Sequence, residues 1–325
     1  MATPGFRALR AGLPSARIVL LLRPALAPLL AGNPWFDELL PVTAGGGRPV
    51  ALVREALALR PRRFELGVCL PDSFSSALQL RLAGVRRVVG YAGTGRGSLL
   101  HTAVEPSWTG GARGLVARER HVLELALAVG GVAQGTRLEL FVTPEEDALA
   151  DRELAAAGIT SGEPLAVLAP GASYGPSKLW PVAHFARVGD ALAETGARVL
   201  LVGAPSEAAL AAGVRAAMRA PAADLVTRGS LGLLKAVLRR SRVLVCNDAG
   251  ARHVAVAFGV PCVVLFGPTS LAKTNLNLER VQALAEDVPC RPCYQRVCPI
   301  DHRCLTRLAP ERVIAAALPA LATPS

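Results

Sequence analysis

Short apolar runs alternate along this chain with longer stretches in which apolar residues recur every three or four positions. In the second half the alternation is regular. Leu165–Leu168, Arg198–Val202, Val243–Cys246 and Pro261–Phe266 are nearly continuous aliphatic runs that close on Gly, Pro or Asn-Asp, as strands buried on both faces do. Between them, helical spacing marks the segment opened by Pro181, with Phe185, Val188 and Leu192 on one face, then Leu231–Arg240 and Ala249–Phe258. Glu311–Leu318 reads as a last helix stopped by Pro319. The first half predicts helices over Pro4–Ala11, Pro49–Ala58, Ser73–Ala83 and His121–Val129. It predicts strands over Ile18–Leu22, Glu65–Leu70 and Val85–Tyr91, and loops at Gly93–Gly97 and Gly110–Gly114. Strands alternating with helices imply an α/β class with right-handed crossovers and parallel, doubly wound sheets. Thr143–Gly162, rich in Asp, Glu and Ala, is the expected boundary between domains spanning residues 1–150 and 151–325.

Composition agrees with two domains. The chain has 325 residues, 51% of them hydrophobic and only 4% aromatic, so the cores must be aliphatic. The N-terminus, MATPGFRALRAGLPSARIVLLLRP, resembles a targeting peptide, but Arg23 and Pro24 break its apolar run. Ile18–Leu22 is far shorter than the roughly 20 residues that span a bilayer. A net charge of +11 fits either an Arg-rich coding bias or an acidic partner such as phosphate or a lipid A-like surface. No dense Lys/Arg run with interleaved aromatics suggests nucleic acid. Cys69, Cys246 and Cys262 lie in apolar runs and read as buried thiols, not as the staples of a secreted protein.

In open parallel sheets ligands bind beyond the carboxyl ends of the strands, and three segments of the second half fall there. In Pro170–Pro181, PGASYGPSKLWP, two glycines permit tight turns, Ser173 offers a hydroxyl and Lys178 a point charge suited to a diphosphate. In Cys246–Gly259, CNDAGARHVAVAFG, a strand feeds a helix start whose free N–H groups and dipole attract an anion. Gly250 lets a phosphate approach there and His253 can face the same ligand, while Asp248 would serve equally as a helix cap. LFGPTS, Leu265–Ser270, is a strand end with two hydroxyls and alone is only a turn. Near the C-terminus, Cys290, Cys293, Cys298 and Cys304 follow C-x2-C-x4-C-x5-C with His302 among them. That pattern is open to structural zinc, free or transiently oxidised thiols, or a disulfide pair. Arg291, Arg296 and Arg303 add positive charge around it.

Taken together, PGASYGPSKLWP, NDAGARHVAVAFGVPCVVLFGPTS, CRPCYQRVCPIDHRC and, in the first half, LPDSFSSALQLRLAGVRRVVGY resemble the ADP-heptose:lipopolysaccharide heptosyltransferases of glycosyltransferase family nine, type II above all. The resemblance implies a GT-B fold, two Rossmann-like domains facing a cleft, with ADP-heptose on the C-terminal domain and a heptosyl-Kdo2-lipid A acceptor on the N-terminal one. It implies inverting transfer of L-glycero-D-manno-heptose without a required cofactor, in the cytoplasm, in peripheral contact with the inner membrane. On matching positions, Lys178 would neutralise the leaving diphosphate. Asp248, Ala249, Gly250 and His253 would bind the nucleotide-sugar, Ser173 would touch phosphate, and Glu207 would contact the adenosine part. Ser73, Ser76, Arg96 and Arg120 are acceptor-side candidates. Two departures stand out. Ala249 replaces a usual Ser or Thr, losing a hydroxyl contact. Met1 aligns inside the family's GDAVMATP-like loop, so the family's general-base Asp and the strand before it are expected upstream of this chain. Two other classes compete. A nicotinamide-dependent oxidoreductase would need more than the distorted glycine turn GTGRGS. A non-catalytic paralogue would bind the nucleotide-sugar without turnover.

Overall fold

The apolar runs become parallel strands, and the computed structural model, which describes residues 1–43, 49–93, 95–105 and 116–322, sorts them into two units. The first unit comprises Met1–Ala27 and Asn33–Arg137. It holds a two-stranded sheet, β1 (Val19–Leu22) beside β2 (Glu38–Pro41), and a three-stranded sheet in the order β3 (Leu66–Val68), β4 (Arg87–Tyr91), β5 (Thr102–Val104). Both rest on one aliphatic core. Ala56, Ala77 and Val88 are fully buried in it, and Leu21 of β1 and Leu40 of β2 pack against them. The helix Thr3–Gly12 lies directly on the helix Arg118–Leu127 and the turn after it. Glycine permits that approach, since a Cβ on Gly5 would stand 2.5 Å from Val122 Cγ1 and one on Gly12 would stand 2.0 Å from the Gly130 carbonyl oxygen.

The second unit comprises Pro28–Gly32 and Leu138–Ser325. Its strands are β6 (Leu165–Ala169), β7 (Arg198–Leu201), β8 (Ala222–Asp224), β9 (Val243–Asn247), β10 (Cys262–Phe266) and β11 (Val281–Ala285). They form one parallel sheet in the order β11-β10-β9-β6-β7-β8. Alternate side chains supply two cores: Leu168, Leu201, Val245 and Leu265 on one face with Trp180 and Phe185, and Val167, Leu200, Leu244 and Val264 on the other with Leu233 and Ala255. The chain builds outward from β6 to β8, then crosses back to β9 and continues to β11. The order therefore reverses between β6 and β9, where an open sheet parts its connections and leaves a crevice.

The expected boundary and the expected end of the last helix change. The acidic stretch proposed as a boundary contains the helix Pro144–Ala156, started by a capping box in which Thr143 Oγ1 accepts from Glu146 N and Glu146 accepts from Thr143 N. The break between units lies instead at Arg137/Leu138. Pro28–Gly32 joins the second unit because the buried Lys235 ammonium donates to the Ala31 carbonyl and Leu29 packs on the second core. Pro319 does not stop the last helix, which runs Pro310–Ala322. Val313 and Ala317 are buried in the core and Leu321 packs against it, which offsets the one backbone bond a proline near a helix end forfeits. The loop Gly110–Gly114 lies outside the described residues, as does Thr94 within Gly93–Gly97. Beyond these, β2, β5, β8, β11 and the helix Ala208–Ala217 are elements that hydrophobic patterning did not mark.

Candidate active site

The crevice between β6 and β9 is framed by Asn247, the last residue of β9 and fully buried. Its Nδ2 donates to the Pro170 carbonyl at 2.6 Å, and its Oδ1 accepts from Trp180 N–H at 3.2 Å. One amide side chain thus fastens both ends of the Pro170–Pro181 loop to the neighbouring strand. Trp180 is 1% exposed and donates its indole N–H to the Leu308 carbonyl, so the far end of the loop is locked into the core.

Lys178 closes the short 3-10 turn Pro176–Lys178 and reaches across the switch point. Its Nζ donates to Asp248 Oδ2 at 2.5 Å and to the Asp248 carbonyl at 2.8 Å. Thr269 Oγ1, from the turn after β10, donates to the same Oδ2 at 2.7 Å. Arg252 Nη1 lies 4.0 Å from Oδ1. The Lys178 and Asp248 side chains are only 11% and 12% exposed, so three elements converge on one nearly dry carboxylate. The Lys178 ammonium also stands 5.1 Å from the centre of the Tyr174 ring. The alternative in which Asp248 caps the next helix is not what forms. The N-cap of Gly250–Ala257 is Ala249, in extended conformation and without a side-chain cap bond. Gly250 is exposed, and a Cβ placed on it would meet no protein atom within 4 Å, so the space in front of the first turn is open. His253, half-buried on the same helix, has its pKa lowered from 6.5 to about 3, by burial first and by the Arg252 charge second, so its ring is neutral.

Glu207 sits in the turn after β7, donated to by Ala204 N at 2.8 Å. Its carboxylate fills the space above two strand ends: a Cβ on Gly171 or on Gly203 would lie 2.0 Å and 2.6 Å, respectively, from it. That explains both glycines and places Glu207 beside the Pro170–Pro181 loop. Ser173 lies on the same loop and is exposed. On the first unit, Arg96 is fully buried. It donates to the carbonyls of Tyr91 and Pro71 and pairs with Asp72, so it braces the loop after β3 and has no exposed surface for an acceptor. Ser73 caps the helix Phe74–Leu82, and Ser76 Oγ donates back to the Ser73 carbonyl. Arg120 remains exposed on its helix.

The four C-terminal cysteines are free thiols. Cys290 and Cys293 are exposed, Cys298 is half-buried, and Cys304 is buried in the core. Among the described residues no three His, Cys, Asp or Glu side chains are grouped to hold a metal ion, so the structure adds no support to structural zinc, one of the three readings the spacing leaves open. The segment forms a strap over the crevice turns instead. Cys293 N and Tyr294 N donate to the Pro268 carbonyl, Arg291 donates to the carbonyls of Gly267 and Thr269, and Ser177 Oγ donates to the Gln295 carbonyl. That Asn247 pins the loop, that Thr269, one of the two LFGPTS hydroxyls, reaches Asp248, and that the strap grips Ser177 are contacts that residue types alone did not reveal. The Asp248 carboxylate, which needs more than one donor when buried, is the signal that pointed toward them.

Comparison with known proteins follows the same lines. The Escherichia coli (strain K12) protein named lipopolysaccharide heptosyltransferase 2 is 28% identical over 281 residues, covering 82% of this chain and 78% of its own length. The solved E. coli ADP-heptose LPS heptosyltransferase II superposes with a TM-score of 0.80 at 24% identity, over 98% of this chain and 93% of that one. A glycosyl transferase family 9 structure from Veillonella parvula DSM 2008 gives 0.84 at 21% identity, over 98% and 92%. These likenesses show the GT-B fold expected from the motifs. The model of glycosyltransferase family 9 (heptosyltransferase) matches residues 53–303, most of the chain, and the chain therefore belongs to that family.

Proposed function

We propose that this chain is a type II heptosyltransferase, moving L-glycero-D-manno-heptose from ADP-heptose to the heptosyl-Kdo2-lipid A inner core of lipopolysaccharide with inversion at the anomeric carbon. The Lys178–Asp248–Thr269 cluster at the strand switch point carries this reading. An acceptor hydroxyl oxygen bonds to the anomeric carbon while the bond from that carbon to the diphosphate oxygen breaks. The electron pair leaves with ADP, and the hydroxyl proton passes to a base, the role the family resemblance gives to an Asp. Charge grows on the diphosphate as the bond opens, and a preorganised cation there stabilises the transition state more than the ground state. Lys178 supplies that cation. Asp248 holds it and offsets the cost of keeping a charge out of water. The uncapped first turn at Ala249 and Gly250 donates N–H groups to phosphate, which recovers part of what the absent hydroxyl at position 249 would give. Neutral His253 lines the same opening. Glu207, at the neighbouring strand end, accepts from the adenosine part, and Ser173 reaches phosphate from the loop.

No helix among the described residues is long and apolar enough to cross a membrane. We place the protein in the cytoplasm, in peripheral contact with the inner face of the cytoplasmic membrane, where its +11 charge meets an acceptor rich in phosphate and acidic sugars. Turnover of ADP-heptose with an inner-core acceptor tests the assignment. Lys178→Ala is expected to lower kcat by about 10²–10³-fold, the usual loss when one transition-state charge partner is removed. A variant that keeps the wild-type rate overturns the role of Lys178. ADP binding without any transfer overturns the enzymatic reading.

A further inference from the structure

Lys178 is set by the peptide in front of it, and that peptide is gripped by the C-terminal strap. Ser177 is 3% exposed, and three of its groups are bound by strap residues. Its N–H donates to the Arg296 carbonyl at 3.1 Å, its Oγ–H to the Gln295 carbonyl at 2.6 Å, and its carbonyl accepts from His302 Nε2 at 2.5 Å. A carbonyl can only accept, so the His302 ring carries its proton on Nε2. The first two contacts use backbone carbonyls that any strap sequence would supply. His302 is the one partner whose side chain makes the contact. The oxygen it holds belongs to the Ser177–Lys178 peptide, whose plane fixes the direction in which the Lys178 side chain leaves the backbone.

Two observations show that the strap is built to place this ring. His302 has φ 59° and ψ 24°, the left-handed region where glycine is relaxed and a histidine is strained. The chain keeps a side chain where glycine would be more relaxed. The footing beneath it is also rigid. Asp301 Oδ1 accepts from Arg303 N and turns the chain into the helix Arg303–Thr306, and Cys304, Leu305 and Leu308 are buried in the core of the second unit. A site group held by packed residues is positioned more closely than one on a free loop.

We propose that His302 is a positioning residue for the transfer reaction: it holds the Ser177–Lys178 peptide so that the Lys178 ammonium meets the leaving diphosphate. This rests on the reading that Lys178 faces the donor. His302 touches no substrate and acts only through Lys178. Its effect therefore falls on kcat with the donor and leaves the KM for the acceptor unchanged.

The test measures kcat, both KM values and thermal unfolding for His302→Gly, His302→Gln, Lys178→Ala and the double variant His302→Gly with Lys178→Ala. His302→Gly is expected to lower kcat about tenfold, the loss of one hydrogen bond's worth of transition-state alignment, with an unchanged acceptor KM. Its melting temperature should stay near wild type, because the relaxed left-handed backbone of glycine offsets the loss of the bond to the Ser177 carbonyl. Glutamine places an amide N–H near the former Nε2 position and should restore kcat to within about threefold of wild type. In the Lys178→Ala background, His302→Gly should cost nothing further. A wild-type kcat for His302→Gly beside a crippled Lys178→Ala overturns this inference alone. So does an undiminished effect in the double variant, or a loss that follows a fall in melting temperature and resists rescue by Gln. A wild-type kcat for Lys178→Ala overturns the donor-site reading and this inference with it.

Discussion

Asn247 shows how much one polar residue can organise where hydrophobic packing ends. A leucine there would continue β9, but the Pro170 carbonyl and the Trp180 N–H would then be buried without partners. Replacing it by leucine is expected to destabilise the second unit by about 2–3 kcal/mol, the penalty for two orphaned backbone groups. Urea unfolding followed by the fluorescence of Trp180 would show a lowered midpoint, and an unchanged midpoint would contradict the bridging role. His253 makes a different prediction. Its pKa is 6.5 in an unfolded chain and about 3 in the folded one, lowered by burial and then by Arg252. Between those values the unfolded chain binds a proton that the folded protein refuses, so its contribution makes stability fall as pH drops below about 6.5. His121 and His184 are also lowered by burial and share the direction. The His253 share is therefore a difference: stability should decline less between pH 7 and pH 5 in His253→Gln than in wild type. Donor affinity should show no titration near pH 6.5 that the His253 substitution removes, because the ring is already neutral there.

Elements were legible in proportion to how completely they are buried. β6, β9 and β10 are covered on both faces and read as continuous aliphatic runs, within a residue or so of their observed bounds. β8 and β11 are the edges of the same sheet; their residues are only partly buried or exposed, and their runs are short and mixed. The helix Pro144–Ala156 was hidden by its own start: a proline and three acids in the first turn look like a linker by composition but favour a helix N-terminus by dipole and capping. The helix Ala208–Ala217 is rich in alanine, and Val214 is the only large aliphatic residue it buries, so few side chains mark its inner face. Lys178, Asp248 and Gly250 were legible as candidates because phosphate chemistry calls for such residues at strand ends. Thr269 and His302 were not, because their roles exist only once β10 and the strap are folded against Asp248 and Ser177. Spacing alone did not foretell where the cysteines lie. C-x2-C invites a metal, but the backbone spends this segment on hydrogen bonds to Pro268 and Ser177, leaving Cys290 and Cys293 at the surface and Cys304 in the core.

For the molecule as a whole, the membrane contact proposed above has a candidate surface in the helix Pro49–Leu59 of the first unit. Leu52, Ala56 and Leu59 face inward. Val50, Val53 and Leu57, spaced three and four residues apart, are 81%, 42% and 47% exposed on the outer face, alongside the exposed Arg54. The one acid of the helix, Glu55, is turned inward and accepts from Thr43 and Gln79. Arg60 and Arg63 follow, both exposed, with Arg62 between them paired to Glu38 at 2.7 Å. Scattered exposed aliphatics need no explanation, but three in a row on a face without acid and flanked by arginines make the amphipathic pattern of a helix that lies on an anionic membrane surface. Each basic residue near such a surface contributes about 1 kcal/mol, and partial burial of the three aliphatic side chains adds to it. The protein should therefore co-sediment with vesicles of phosphatidylethanolamine and phosphatidylglycerol, and much less with neutral phosphatidylcholine vesicles. Val53→Asp combined with Leu57→Asp removes two apolar contacts and adds two repelled charges without touching the buried face, so vesicle affinity should fall by about tenfold or more while the melting temperature stays near wild type. Binding to anionic vesicles that survives this double substitution would place the membrane contact elsewhere on the chain. Binding that is equal for neutral and anionic lipid would remove charge from the explanation.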